Sequence, residues 1–349
     1  MDACCPGRQA TPQERPGLEE PLLRIEGLSA QFDTVDGAVR AVNGVSLSLR
    51  EGRTLALTGE SGAGKTSVGL SVLNLLPYPG RITAGRILFG GSDLLGLSPE
   101  EMRQVRGREI AMVFQDPATG LNPVLSVGAQ VEEIITAHLS VSKREARDRS
   151  LEALAQMGLP DPQEVARRYP FHLSGGMAQR VMIAIATALE PKVLIADEST
   201  SALDVTVQAA ILDDLRQLQR RSGTSILLIT HDLGVVAQMA EEVAVMYAGA
   251  IVEFGNVRTV FERPRHPYTW ALLRSRPRWD REQTRPLPAI RGSPPNLAEL
   301  SGECPYLPRC PKATTTCRTE AAPALAVLQP GHLAACYNPI QPEGDMGFD

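Results

Sequence analysis

The residues able to do chemistry fall into three stretches. Gly59–Thr66 reads GESGAGKT, Leu173–Arg180 reads LSGGMAQR, and Val193–Glu198 reads VLIADE. In the first, Gly59, Gly62 and Gly64 let the backbone curl until successive N–H groups point inward, as a phosphate cradle requires. Lys65 supplies the cation for β- and γ-phosphates, and the Thr66 hydroxyl suits Mg²⁺. The expected ATP-contacting residues are Gly59, Glu60, Ser61, Gly62, Ala63, Gly64, Lys65, Thr66 and Ser67. In the third stretch, Asp197 and Glu198 follow an apolar run and emerge where ligands of open α/β sheets collect. Asp197 suits the Mg²⁺ shell, directly or through water, and Glu198 suits a general base for the attacking water. The bland alternatives are a glycine turn before a helix and a solvated acidic cap.

The elements that must position these groups are readable around them. Arg53–Thr58 is a short apolar strand running into the glycine loop, and Lys65–Leu76 reads as a helix closed by Pro77. That strand–loop–helix order is the setting a phosphate loop needs. Ser98-Pro99-Glu100-Glu101 and Ser142-Lys143-Arg144-Glu145 have capping-box patterns. The second opens a helix to Met157, with Gly158 and Pro160 as stop signals. Residues from about 116 to 180 read as a mainly helical insert. Strand patterns return at Lys192–Ala196, Ser225–Thr230 and Val243–Tyr247, and their alternation with helices predicts a mostly parallel, buried sheet. Ile110–Phe114 and Ser225–Thr230 are apolar runs that deliver Gln115 and His231 to the same edge. His138, His172, His266 and His332 read as structural or solvated.

Composition bounds the classes. The 349 residues are 43% hydrophobic and 21% charged, an ordinary soluble balance with room for one large domain and an appendage. A net charge of −5 argues against a nucleic-acid partner. No apolar run reaches about 18 residues, so no segment is expected to span a bilayer. The first 21 residues lack a secretory pattern and read as a disordered lead-in, which predicts a cytoplasmic location. After about Gly255 prolines cluster and four cysteines appear, marking a boundary between residues 22–255 and 256–349.

The order of GESGAGKT, Gln115 in VFQDP, LSGGMAQR, IADE, SALD and His231 in LLITHDL resembles the ATPase subunit of an ABC transporter over roughly residues 22–255. The resemblance implies an α/β fold: a P-loop ATPase core with a mainly parallel sheet, a helical subdomain, and here a cysteine-containing extension. It also implies an ATP sandwich of two subunits. Ser174, Gly175, Gly176 and Gln179 would address the ATP of the opposite subunit. His231 would contact the γ-phosphate near Glu198, Asp204 would communicate between sites, and Gln115 would lie near Mg²⁺ and the water. Phe32 is the expected base-stacking aromatic, with an ordinary core phenylalanine as the rival reading. Ser199 stands where the family commonly has proline after the catalytic glutamate; the acidic pair is intact, so activity is expected.

The tail, with HPYTWALL at His266–Leu273 and IRGSPP at Ile290–Pro295, resembles the C-terminal extension of oligopeptide, dipeptide and nickel importer ATPases. Some members bind a [4Fe–4S] cluster at such cysteines, so the resemblance suggests one at Cys304, Cys310, Cys317 and Cys336. Four thiolates can close around a cubane. Zinc is the rival, although tight C-x₂₋₄-C knuckles are missing, and four unliganded thiols are the third reading. Cys4 and Cys5 receive no role. The leading expectation is the energy-coupling subunit of a di/oligopeptide importer on the cytoplasmic face of the membrane. Its expected partners are a second ATPase (a paralogue before a second copy), two transmembrane permease subunits and an extracytoplasmic solute-binding protein. Nickel or metal-chelate import is the alternative. A soluble ABC ATPase acting on nucleic acid ranks lower, for want of a coiled-coil insertion or a second nucleotide domain. A redox or iron sensor in the tail is compatible with the leading reading.

Overall fold

The computed structural model describes residues 20–35, 37–199, 204–275 and 289–341. Almost all of the expected disordered lead-in, Cys4 and Cys5 included, and Ser201, Ala202 and Leu203 of SALD lie outside the described residues.

The strands are β1 (Leu23–Thr34), β2 (Gly37–Leu49), β3 (Thr54–Thr58), β4 (Gly80–Phe89), β5 (Ser92–Asp93), β6 (Ile110–Val113), β7 (Val193–Asp197), β8 (Ser225–Ile229), β9 (Glu242–Tyr247), β10 (Ala250–Asn256), β11 (Ala326–Gln329) and β12 (His332–Ala334). They form an antiparallel sheet ordered β2-β1-β4-β5 and a second ordered β11-β12-β10-β9-β3-β8-β7-β6. The stretch β9-β3-β8-β7-β6 is parallel. Every residue of β3, β7 and β8 is buried, which is why their sequences are apolar runs rather than alternations.

The helices preceding β7 are α1 (Lys65–Val72), α2 (Pro99–Val105), α3 (Pro117–Gly120), α4 (Val127–His138), α5 (Lys143–Gln156), α6 (Pro162–Arg167) and α7 (Gly175–Thr187). After it come α8 (Val205–Ser222), α9 (Leu233–Met239), α10 (Val257–Glu262), α11 (Pro267–Arg274) and α12 (Thr315–Thr319). Helix α1 stops short of the expected Leu76: Leu73 closes it and Asn74 turns left-handed at φ 50°. The box at Ser98 is complete. At Ser142 only half forms, because Ser142 accepts from the Glu145 N–H while the Glu145 carboxylate turns to Arg149.

The compositional change at Gly255 does not interrupt the sheet. β10 runs through it, paired on one side to β9 and on the other to β12. The fully buried Glu253 carboxylate ties the seam, accepting from the N–H groups of Arg265 (2.7 Å) and His266 (2.9 Å) and lying 2.6 Å from His332 Nε2. A buried carboxylate is tolerable only when so surrounded. His266 and His332 are thus structural, as their sequence setting suggests. Tyr247, Tyr268 and Tyr306 meet tilted or edge-on beside this seam in a third core, separate from the one under the antiparallel sheet and from the one that α4–α9 form with β6–β8.

Candidate nucleotide site

The glycine loop joins β3 to α1 and is pressed against β9 and β2. A Cβ on Gly59 would fall 2.1 Å from the Met246 carbonyl oxygen, and one on Gly64 would fall 2.0 Å from that of Ala41. Backbone oxygens cannot swing aside, so glycine is required by close approach as well as by curvature. Lys65 is 5% exposed, and its Nζ donates to the carbonyls of Gly59 (2.9 Å) and Glu60 (3.0 Å). Burial lowers its pKa, while Glu198, Asp197 and Glu60 pull the other way. The ammonium is therefore held inside the loop, where phosphate oxygens would meet it.

Thr66 Oγ1 donates to Asp197 Oδ1 at 3.2 Å. Asp197 is 2% exposed; burial pushes its carboxyl up to about 6, against the Thr66 hydrogen bond and with help from Glu198. A buried carboxylate beside a hydroxyl is the hard-oxygen donor set that fits Mg²⁺, and a divalent ion would offset the cost of ionising Asp197. The residues present thus fit Mg²⁺ with a polyphosphate.

Glu198 follows β7 and takes a left-handed φ of 45°, an uncommon conformation for a residue with a side chain. Its N–H donates to the Ile229 carbonyl (2.8 Å). Its carboxylate is gripped from both neighbouring strands: Gln115 Nε2 donates to Oε2 at 2.9 Å and His231 Nδ1 lies 3.1 Å from Oε1. Strand register explains the meeting. Ala196 pairs with Val113 and Asp197 with Ile229, so the residues just past the ends of β6, β7 and β8 converge on one edge. The carboxylate side chain is 15% and His231 58% exposed, so the base is sheltered and the histidine faces outward.

Ser174 caps α7, accepting from the Met177 N–H at 3.4 Å. Ser174 and Gly175 are exposed and Gly176 is half-buried against Val207. No hydrogen bond among the described residues joins them to the glycine loop of the same chain. Gln179 departs from the expectation: it is 2% exposed with its Nε2 unpaired among the described residues, so it does not share the exposed face of Ser174. Asp204 is exposed and caps α8 through the N–H groups of Thr206 (3.1 Å) and Val207 (2.9 Å). Phe32 is partly buried at the end of β1, with its ring over Gly80, where a Cβ would come within 2.6 Å; Ser61, Ala63 and Ser67 lie on the loop and α1 as expected. Ser199 is buried.

The four tail cysteines are free thiols lining one cavity with His266, Pro267 and Tyr306. Burial pushes the thiols of Cys304 and Cys310 up and that of Cys336 to about 12. Among the described residues no three His, Cys, Asp or Glu side chains are grouped so as to hold a single metal ion. Two contacts were not anticipated from the sequence. Arg309 pairs with Glu60 of the glycine loop, and the Tyr268 hydroxyl accepts from the Glu60 N–H at 2.8 Å. Tyr268 belongs to the HPY triplet, the only local signal available for it.

Comparison with known proteins agrees with this geometry. The ABC transporter profile matches residues 42–201, and the oligopeptide/dipeptide transporter C-terminal region matches residues 252–317. The dipeptide transport ATP-binding protein DppD of Bacillus subtilis is 46% identical over 91% of this chain and 95% of its own length. The oligopeptide transport ATP-binding protein OppD of Escherichia coli is 46% identical over 92% of this chain and 94% of its own length. Among solved structures, a dimeric post-hydrolysis ATP-binding cassette bound to ADP and Pi superposes with a TM-score of 0.62 at 27% identity, covering 68% of this chain and 99% of that one. The cbiO1 protein of Clostridium perfringens, part of the ABC transporter complex cbiONQ, gives 0.60 at 29% identity, covering 70% and 91%. The chain belongs to the ATP-binding subunits of ABC transporters, in the group that carries the oligopeptide/dipeptide transporter C-terminal region.

Proposed function

We propose that this chain is the ATP-hydrolysing subunit that powers import of di- or oligopeptides. The observation that carries the catalytic half is the convergence of Gln115 and His231 on Glu198, beside the Thr66–Asp197 pair and Lys65. Bound Mg²⁺·ATP supplies the polarised γ-phosphate. Around it the glycine-loop N–H groups and Lys65 bind the polyphosphate, and Thr66 and Asp197 hold the cation. Glu198 takes a proton from water while Gln115 and His231 fix its orientation. The exposed Ser174–Gly175 end of α7 supports a site completed by a second ATPase, a paralogue or another copy, with Asp204 between the two nucleotides. Phe32 is the base-stacking candidate. The names of the relatives support peptide as the solute. Two transmembrane permease subunits and an extracytoplasmic solute-binding protein complete the proposed assembly. The chain would sit at the cytoplasmic membrane face, a reading supported by its likeness to ATP-binding subunits of peptide transporters; no helix among the described residues is long and apolar enough to cross a bilayer.

The tail is proposed to hold a [4Fe–4S] cluster at Cys304, Cys310, Cys317 and Cys336. One zinc ion, with Zn–S of about 2.3 Å, would draw its thiolates to about 3.8 Å from one another. What supports a bound group is that the four cysteines line one shared cavity; in a cluster each thiolate would serve its own iron. The test of function is uptake. Cells lacking this chain should lose accumulation of a radiolabelled dipeptide, with rescue by the native chain and not by Glu198→Gln. Unchanged dipeptide uptake with loss of nickel-63 uptake would move the assignment to metal import.

A further inference from the structure

We propose that Arg309 is a positioning residue of the nucleotide site, and that its ion pair with Glu60 carries the state of the four-cysteine cavity to the glycine loop. The cavity half rests on the tail being a ligand site, as argued above; the ion pair does not.

Glu60 is the second residue of GESGAGKT and is held at three points. Its N–H donates to the Tyr268 hydroxyl (2.8 Å), its carbonyl accepts from Lys65 (3.0 Å), and its carboxylate takes both arms of Arg309 at 2.8 and 3.1 Å. Two of the three remaining donors of Arg309 are also used: Nε bonds the Arg291 carbonyl (2.8 Å), and Nη1 also reaches the Tyr247 hydroxyl (3.1 Å). The guanidinium side chain is 5% exposed. A planar fork locked this way fixes the carboxylate's orientation, which a lysine point charge would not.

Two of those three points, Arg309 and Tyr268, directly adjoin residues that line the cysteine cavity. Arg309 ends the short turn Leu307–Arg309, which is closed by the Leu307 N–H on the Cys304 carbonyl (2.9 Å) and passes directly into Cys310. Tyr268 lies in the first turn of α11, whose His266 and Pro267 line the same cavity. A second small cavity is bounded by Glu60–Ala63 on one side and Pro294, Pro295 and Leu297 on the other, so the extension runs along the loop. A group bridging Cys304 and Cys310 would hold the Arg309 turn in place. Without it the turn is freer, Glu60 loses its clamp, and the loop must be ordered by the nucleotide itself, at a cost in affinity. Linkage makes the effect reciprocal: nucleotide should raise the cavity's equilibrium affinity for its contents against a competing chelator.

The test uses the full-length chain, a fluorescent ATP analogue with Mg²⁺, and a double-mutant cycle. Cys336→Ser perturbs the cavity away from the Arg309 turn; Cys310→Ser replaces it if that variant does not unfold cooperatively. Each change, Arg309→Gln or the cysteine substitution, should weaken nucleotide binding about fivefold or more. The double variant should be no weaker than Arg309→Gln alone, and Arg309→Lys should lie between native and Arg309→Gln. Multiplying effects, native affinity in Arg309→Gln, or a lowered Tm with unchanged affinity would each overturn the proposal. Iron, sulfide and zinc content of the same preparations judges the tail separately. A metal-free tail sinks the cluster and with it the cavity half, leaving Arg309→Gln to judge the ion pair alone; iron with multiplying effects keeps the cluster and sinks the link.

Discussion

Replacing Glu198 by glutamine isolates the base because the surroundings can accept the change without moving. The new amide keeps an oxygen to accept from Gln115 Nε2, now 2.9 Å away, and gains an NH₂ able to donate to an unprotonated Nδ1 of His231, now at 3.1 Å. The side chain has the same shape, so the left-handed backbone at φ 45° carries no new strain. What disappears is proton acceptance, a contribution of about 10²–10⁴ in rate, or about 2.7–5.5 kcal/mol of barrier. Lys65 and the loop N–H groups stay in place; Lys65 loses Glu198, the carboxylate that favours its charge most, and keeps Asp197 and Glu60. Single-turnover release of phosphate from radiolabelled ATP should therefore slow by two to four decades while nucleotide affinity stays within a few-fold. Size-exclusion chromatography with ATP should show an accumulated dimer. Parental turnover would remove Glu198 from the role of base. Lost ATP binding with the fold intact would assign it to binding instead.

Lys65→Ala should abolish measurable nucleotide binding by calorimetry, because it removes the ammonium that the Gly59 and Glu60 carbonyls hold inside the loop. Gly59→Ala and Gly62→Ala should differ: the first sets a Cβ 2.1 Å from the Met246 carbonyl oxygen, so the β9 backbone itself must shift, and also bears a φ of +154°, for about 3 kcal/mol or more and a loss of affinity of tenfold or more, whereas the second meets open space and bears only its φ of +78°, about 1–2 kcal/mol. Parallel calorimetry and thermal melts on the two variants check the contrast. His266 is buried and pushed down to about 3 by that burial, so its neutral form belongs to the fold. Its stabilisation is complete above the unfolded pKa near 6.5 and is lost as pH falls from there towards 3, about 2 kcal/mol by pH 5. His266→Asn, which can still accept from the Tyr268 N–H, should show a smaller drop in Tm between pH 7.5 and 5; an unchanged drop would acquit His266.

What was legible in the sequence is what local order determines. GESGAGKT between an apolar strand and a helix, and VLIADE ending in two acids, each state their own geometry because strand and ligand are contiguous. Gln115 and His231 were legible as residues delivered by apolar runs. Their meeting on Glu198 depends on β6 and β8 flanking β7, a non-local pairing that no local pattern records. Gln179 shows the opposite error, a residue grouped by its motif. Five positions at about 100° each place it about 140° round α7 from Ser174, on the inward side. The tail hid most. β11 and β12 are short, and β12 completes its pairing with β10 only after some 75 residues of proline-rich chain, so no period announces it.

That hidden pairing changes what the extension is for. A phosphate loop needs a strand, glycines, a lysine and a helix, all of which β3 and α1 provide; nothing in that minimum calls for Arg309. Yet β12 is stitched to the core sheet through fully buried Glu253, and Tyr247, Tyr268 and Tyr306 pack a core between sheet and tail. Burying an acid and three tyrosines at one seam fixes the tail's orientation more tightly than covering an apolar face would, since each polar atom needs its partner in place. The most direct consequence of that fixed orientation is the placement of two tail groups, a tyrosine hydroxyl and a guanidinium, on one residue of the loop. The tail is thereby built as an adjustable back support for the nucleotide site, with the cysteine cavity at the far end of the same lever.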